Sequence, residues 1–113
     1  MLVRVEDEVV EVKAFRGTRR TAVYRNHVLS GHDFTRLVET GATRELPVLA
    51  SLDRPRGRQL DKANARRLAA EATDVRMSGE LPDLDGDLVA IAEVARWCAR
   101  ATDDSWLEIE AAG

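Results

Sequence analysis

Ser30, His32 and Asp33 fall within four positions in the stretch NHVLSGHDFTRL, the three residue types of a nucleophilic triad. Such a triad needs side chains converging from separated parts of a fold, so that nucleophile, base and orienter form one hydrogen-bonded chain. On a single helical turn the side chains fan out by about 100° per residue and do not line up that way. The same letters fit a helix start. Ser30 and Asp33 have the Ser-x-x-acid spacing of a capping box, with Asp for the usual Glu or Gln, and Leu29 and Phe34 fit a hydrophobic staple. A helix is expected from there, with Phe34, Leu37 and Val38 on its apolar side and a stop at Gly41. His27 and His32 have no partner assigned by spacing, so no catalytic residue is expected.

Two further groups are candidates for chemistry. Cys98 lies on an apolar helical stripe, whereas a reactive thiolate needs an exposed, electropositive setting; it reads as an inert core thiol. Asp83, Asp85 and Asp87 imitate the opening of a calcium loop, but that loop needs further oxygen ligands and a Glu at its twelfth position. Here apolar residues follow, LVAIAEVA, so the acids read as partners of the positive end of a helix. No cofactor and no metal site are expected.

The basic run Arg54, Arg56, Arg58, Lys62, Arg66 and Arg67 puts six cations in fourteen residues, and Lys13, Arg16, Arg19, Arg20 and Arg25 extend the basic supply. Phosphates are one match for such a run. Aromatics make up only 4% of the chain, and no helix-turn-helix, RRM or KH pattern is present. Arginine also suits an acidic protein surface, through its planar two-pronged bonding. A third reading is a solvated loop paired with the acidic tail. Trp97 lies one position off the main helical stripe and Trp106 shares a strand face with Glu108, so both are candidate interface anchors. The candidate partner-binding set is Arg54, Arg56, Arg58, Lys62, Arg66, Trp97 and Trp106.

These residues must be positioned by a chain of 113 residues, the size of one domain, with 44% hydrophobic and 33% charged residues. The net charge of −3 conceals an asymmetry: residues 12–79 carry 14 Lys/Arg against 7 Asp/Glu, and residues 80–113 carry 2 against 9. No apolar run approaches the roughly 18 residues that span a bilayer, and the opening MLVRVEDEVVEV is acidic and alternating, unlike a signal peptide. A cytoplasmic location follows as the expectation. A single cysteine makes no internal disulfide.

Alternation predicts the sheet. Val3 and Val5 share one strand face, Val10, Val12 and Ala14 a face of the next strand, and RRTAVYR offers a third, which together make an antiparallel meander. ELPVLASLD reads as a short strand or extended segment ending at Asp53, followed by the Arg-rich loop. Asp61 caps a helix with Ala65, Leu68, Ala69 and Ala72 on its buried stripe, ending near Met77. Leu84, Leu88, Ile91, Ala95 and Cys98 mark a long third helix, and WLEIE a final strand with Leu107 and Ile109 inward, placed at a sheet edge guarded by its glutamates. The expected fold class is α+β: one sheet, made of the N-terminal meander and the C-terminal strand, packed by two to three helices.

The segments LASLDRPRGRQLDKANARRLAAEA and LVAIAEVARWCARATDDSWLEIE resemble small, functionally uncharacterised α+β proteins of high-GC actinobacteria. The likeness covers about the last two thirds of the chain, and the loop DRPRGRQLD is more basic than is usual in such proteins. The resemblance implies an immunity-like or antitoxin-like protein that covers another protein's surface, with no active site. The sequence therefore points to a non-enzymatic protein-interaction module, with a nucleic-acid-associated regulator using the Arg-rich loop 54–67 as the alternative.

Overall fold

A computed structural model describes residues 8–18, 22–102 and 104–112. The elements run β1 (Val9–Arg16), β2 (Val23–Ser30), α1 (Gly31–Thr43), α2 (Pro47–Ala50), β3 (Arg58–Leu60), α3 (Lys62–Ser78), α4 (Asp85–Ala99) and β4 (Ser105–Ala112), with 3-10 turns at Ser51–Asp53 and Pro82–Leu84. Alternating β-branched residues favour the pleated surface of β1, whose Val10, Val12 and Ala14 point to one side and are buried. Leu107, Ile109 and Ala111 of β4 continue that buried side, because β4 pairs antiparallel with β1 in the register Ala14 to Leu107 and Val12 to Ile109. Among the described residues the sheet is antiparallel in the order β2-β1-β4-β3, and the fold is α+β.

All the helices share one core with that inner side of the sheet. Leu68, Ala72 and Val75 of α3 and Leu88, Ile91 and Ala95 of α4 belong to the same buried cluster as the inward strand residues, and the alanines let the two helices approach closely. The expected N-caps are present, whereas α1 runs past the stop expected at Gly41 and ends at Thr43. The Ser30 hydroxyl accepts a hydrogen bond from the Asp33 N–H at 3.1 Å, and the Asp61 carboxylate accepts one from the Asn64 N–H at 2.8 Å. At the other end of α3, Gly79 takes the left-handed φ of 73° that terminates it. No helix among the described residues is long and apolar enough to cross a membrane.

Three expectations need comment. The segment ELPVLASLD is not a strand: Pro47 opens the single turn α2, and the Glu71 carboxylate reaches in from α3 to accept from the Val48 N–H at 3.2 Å and the Leu49 N–H at 2.8 Å. Two buried donors thus gain a charged acceptor, which favours a helical turn over an extended chain. β4 is not a sheet edge, because β3 forms within the Arg-rich segment and pairs Arg58–Leu60 with Ile109–Leu107. Val3, Val5 and Thr21 lie outside the described residues, and the strand expected over 19–25 runs from Val23 to Ser30, ending directly in the cap of α1.

Candidate partner-binding surfaces

With the helices on one side, the other side of the sheet is left uncovered by the described residues. The register places Phe15 of β1 directly between Tyr24 of β2 and Trp106 of β4. The Phe15 and Trp106 rings stack at 5.1 Å between centroids and 11° between planes, and Tyr24 follows at 5.7 Å and 38°. Cross-strand aromatic neighbours of this kind stiffen a sheet and present a flat ring surface. Tyr24 is 58% exposed.

Polar residues fill the next two rows. The Glu108 carboxylate accepts from the Gln59 amide at 3.0 Å and the Trp106 indole N–H at 3.2 Å. Glu11 accepts from the Asn26 amide at 2.6 Å and lies 3.4 Å from the Lys13 ammonium. Glu110 accepts from the Gly57 N–H at 2.6 Å, tying the Arg-rich segment to β4. Val28 and Val9, each nearly half exposed, close the far end. The open side therefore carries one aromatic row, a self-satisfied polar middle and an apolar end.

The cations of the Arg-rich segment diverge. Arg56 pairs with Glu8, whose side chain is 2% exposed; Arg58 reaches the Ser51 hydroxyl at 3.4 Å; the Lys62 ammonium donates to the Ala101 carbonyl at 2.8 Å. Arg54, Arg66 and Arg67 are exposed and have no carboxylate partner among the described residues. The acidic C-terminal third instead finds cations elsewhere: Asp83 with Arg36 at 2.6 Å, Glu80 with Arg44 at 2.7 Å and Asp85 with Arg76 at 3.6 Å. The Arg36 hydrogen bond holds Asp83 below the ordinary carboxylate value, and Asp83 in turn raises Arg36.

The two tryptophans lie on opposite sides of the sheet. Trp106 is in the open aromatic row, whereas Trp97 of α4 lies in the helix layer, half-buried, with the Arg16 guanidinium 4.0 Å and the Arg25 guanidinium 5.6 Å from its ring centre. Arg16 also donates to the Trp97 carbonyl at 3.0 Å. The structure thus brings Trp106 to β3 and the polar rows, sets Arg56 and Lys62 into internal contacts, and places Trp97 and Arg66 on the helix side.

The groups with chemical potential are separated. His27 Nε2 lies 2.7 Å from Asp87 Oδ1, while Asp33 lies 3.6 Å from Arg36 and His32 is exposed on α1. Cys98 is fully buried, and that burial pushes its thiol up from its ordinary value. Asp83, Asp85 and Asp87 each face a different basic side chain, Arg36, Arg76 and His27.

Periodicity placed Trp106 beside Glu108, but the aromatic row depends on the pairing register of three strands. Arg96 and Arg100, spaced i to i+4 on the polar side of α4, are the other residues that sequence reasoning passed over; that spacing was their only signal. No family model, curated protein or solved structure matches this chain.

Proposed function

We propose that this chain is a non-enzymatic protein-interaction module that acts in the cytoplasm by covering a partner's surface, as immunity and antitoxin proteins do, and that it binds through the open side of its sheet. The observation that carries this reading is the row Tyr24–Phe15–Trp106, in which Phe15 stacks on Trp106, Tyr24 tilts against Phe15 and the Tyr24 ring is well exposed. Aromatic side chains with satisfied polar neighbours are what protein interfaces concentrate at their centres. The acidic balance of the same side, Glu11, Glu108 and Glu110 against Lys13, favours a protein over a phosphate backbone there. The buried Cys98 with its raised thiol, and the pairing of His27 with Asp87 in place of a nucleophile among the described residues, support the non-enzymatic part.

The experiment is a tagged pull-down from lysate of the source cells, with and without nuclease, comparing the wild type with Tyr24→Ala/Trp106→Ala. A near-stoichiometric protein that survives nuclease and is lost from the double variant supports the reading. A captured protein equally retained by the variant refutes the surface. Capture of nucleic acid alone favours the regulator that uses Arg54, Arg66 and Arg67 of the basic segment.

A further inference from the structure

On the helix side, a groove of about 660 Å³ runs between α3 and α4, with Ala69, Ala70 and Ala99 on its floor and Arg66, Arg96 and Arg100 around it. Arg96 reaches from α4 to α3, where its Nη2 donates to the Thr73 hydroxyl at 2.9 Å; that hydroxyl donates to the Ala69 carbonyl at 2.9 Å. The guanidinium is thereby held across the groove before any ligand arrives, which lowers the ordering cost of binding. Arg66, Arg96 and Arg100 have no carboxylate partner among the described residues. Arg96 and Arg100 also line a second cleft, of about 710 Å³, with Arg25 and Trp97 in its wall and Glu93 as its single acid.

Helix electrostatics account for part of this. Cations in and after the last turn of α4 complement its negative end, which explains Arg96 and Arg100. Arg66, near the start of α3, gains nothing from a helix end, yet it completes the ring around the groove. We propose that this groove is a second docking site and that its occupant is an acidic amphipathic segment of a protein partner. Small apolar side chains of that segment rest on the alanine floor, and its carboxylates meet Arg66, Arg96 and Arg100. Charge complementarity calls for an anionic occupant, and the floor selects among anions. A nucleic acid would match the arginines but would find no ring in the groove itself; the nearest rings, Trp97 beneath the Arg16 guanidinium and Tyr24 of β2, lie in the neighbouring cleft. The inference uses none of the residues on the open sheet side, so it stands or falls apart from that reading.

The test is fluorescence anisotropy with a labelled helical peptide of about four turns, glutamate along two flanks and alanine along the stripe between them. Its Glu→Gln counterpart and a labelled oligothymidylate serve as comparisons. The acidic peptide is expected to bind and the Gln peptide to bind far more weakly. Arg66→Glu/Arg100→Glu is expected to weaken the acidic peptide by about tenfold or more, with only the small fall in thermal midpoint that losing the Arg100 cation at the negative end of α4 brings, and Tyr24→Ala/Trp106→Ala to leave its affinity unchanged. Absence of peptide binding, equal binding by the charge-reversed variant, or tighter binding of the oligothymidylate at the same salt would each overturn the proposal.

Discussion

On the open side of the sheet the charged side chains of the polar rows are occupied with one another or with neighbouring amides: Glu11 with Lys13 and Asn26, Glu108 with Gln59 and Trp106, Glu110 with the Gly57 N–H. Across the sheet Arg25, Arg66, Arg96 and Arg100 gather around two clefts whose one acid is Glu93, and the larger cleft reaches Tyr24 and Asn26 at the β2 edge. The first surface has its charge neutralised locally and offers rings; the second offers charge and a floor of alanines. Exposed pairs contribute little to stability, so the contrast concerns what each side can recognise more than what holds the fold together. A surface whose polar groups are already satisfied loses little on desolvation, which suits a broad, shape-led contact. A surface of unpaired guanidinium groups gains specificity from a partner of opposite charge.

The substitution with the largest expected effect erases the contrast. Leu107 is fully buried on the inner side of β4, between the two surfaces. Leu107→Ala is expected to cost about 2–5 kcal/mol in urea unfolding and to weaken both surfaces together. Next comes Glu71→Ala, which strands the Val48 and Leu49 N–H groups. A loss of about 1–3 kcal/mol is expected, with both binding surfaces intact and Glu71→Gln recovering part of it; if the peptide groove changed as much as stability, the corner formed by α2 would have to be part of the site.

Smaller changes sharpen the comparison. Trp106→Ala removes the stack on Phe15, so it should lower stability by about 0.5–1.5 kcal/mol beyond the lost burial, whereas Arg66→Glu/Arg100→Glu lowers it only by the small contribution of the Arg100 cation at the negative end of α4. The smallest expected effect is the pH dependence of the Arg36–Asp83 pair. Because Arg36 depresses the folded value of Asp83, the pair stabilises fully above the ordinary value of 3.8 and loses that contribution as pH falls through the lower folded value. Arg36→Ala should flatten that part of the acid-unfolding curve, its small cost in stability being present at neutral pH and vanishing at the acid end.

Much of the framework was legible because its causes are local. Ser30 and Asp61 act on N–H groups three residues away, and the stripe of α4 and the alternation of β4 record burial directly. The turn α2 was misread because a short apolar run lacks periodicity, and the group that makes it helical, Glu71, lies 22 residues beyond Leu49. Strand β3 was hidden for a related reason: Pro55, Gly57 and the arginines read as a loop, and only the free edge of β4 turns Arg58–Leu60 into a strand. The basic run shows how charge spacing falls short. Arg56 and Lys62 are drawn into internal contacts, while Arg66 joins arginines from α4 and β2 on a different surface.

The most direct test of the two-surface account is 19F NMR of the protein labelled with 5-fluorotryptophan, its two resonances assigned with Trp97→Phe and Trp106→Phe. Trp106 reports the open sheet side and Trp97 the arginine clefts. The account predicts that the captured partner protein shifts or broadens the Trp106 signal, and that the acidic peptide alone moves Trp97 and leaves Trp106 in place. A bound partner that leaves the Trp106 signal unmoved would contradict it.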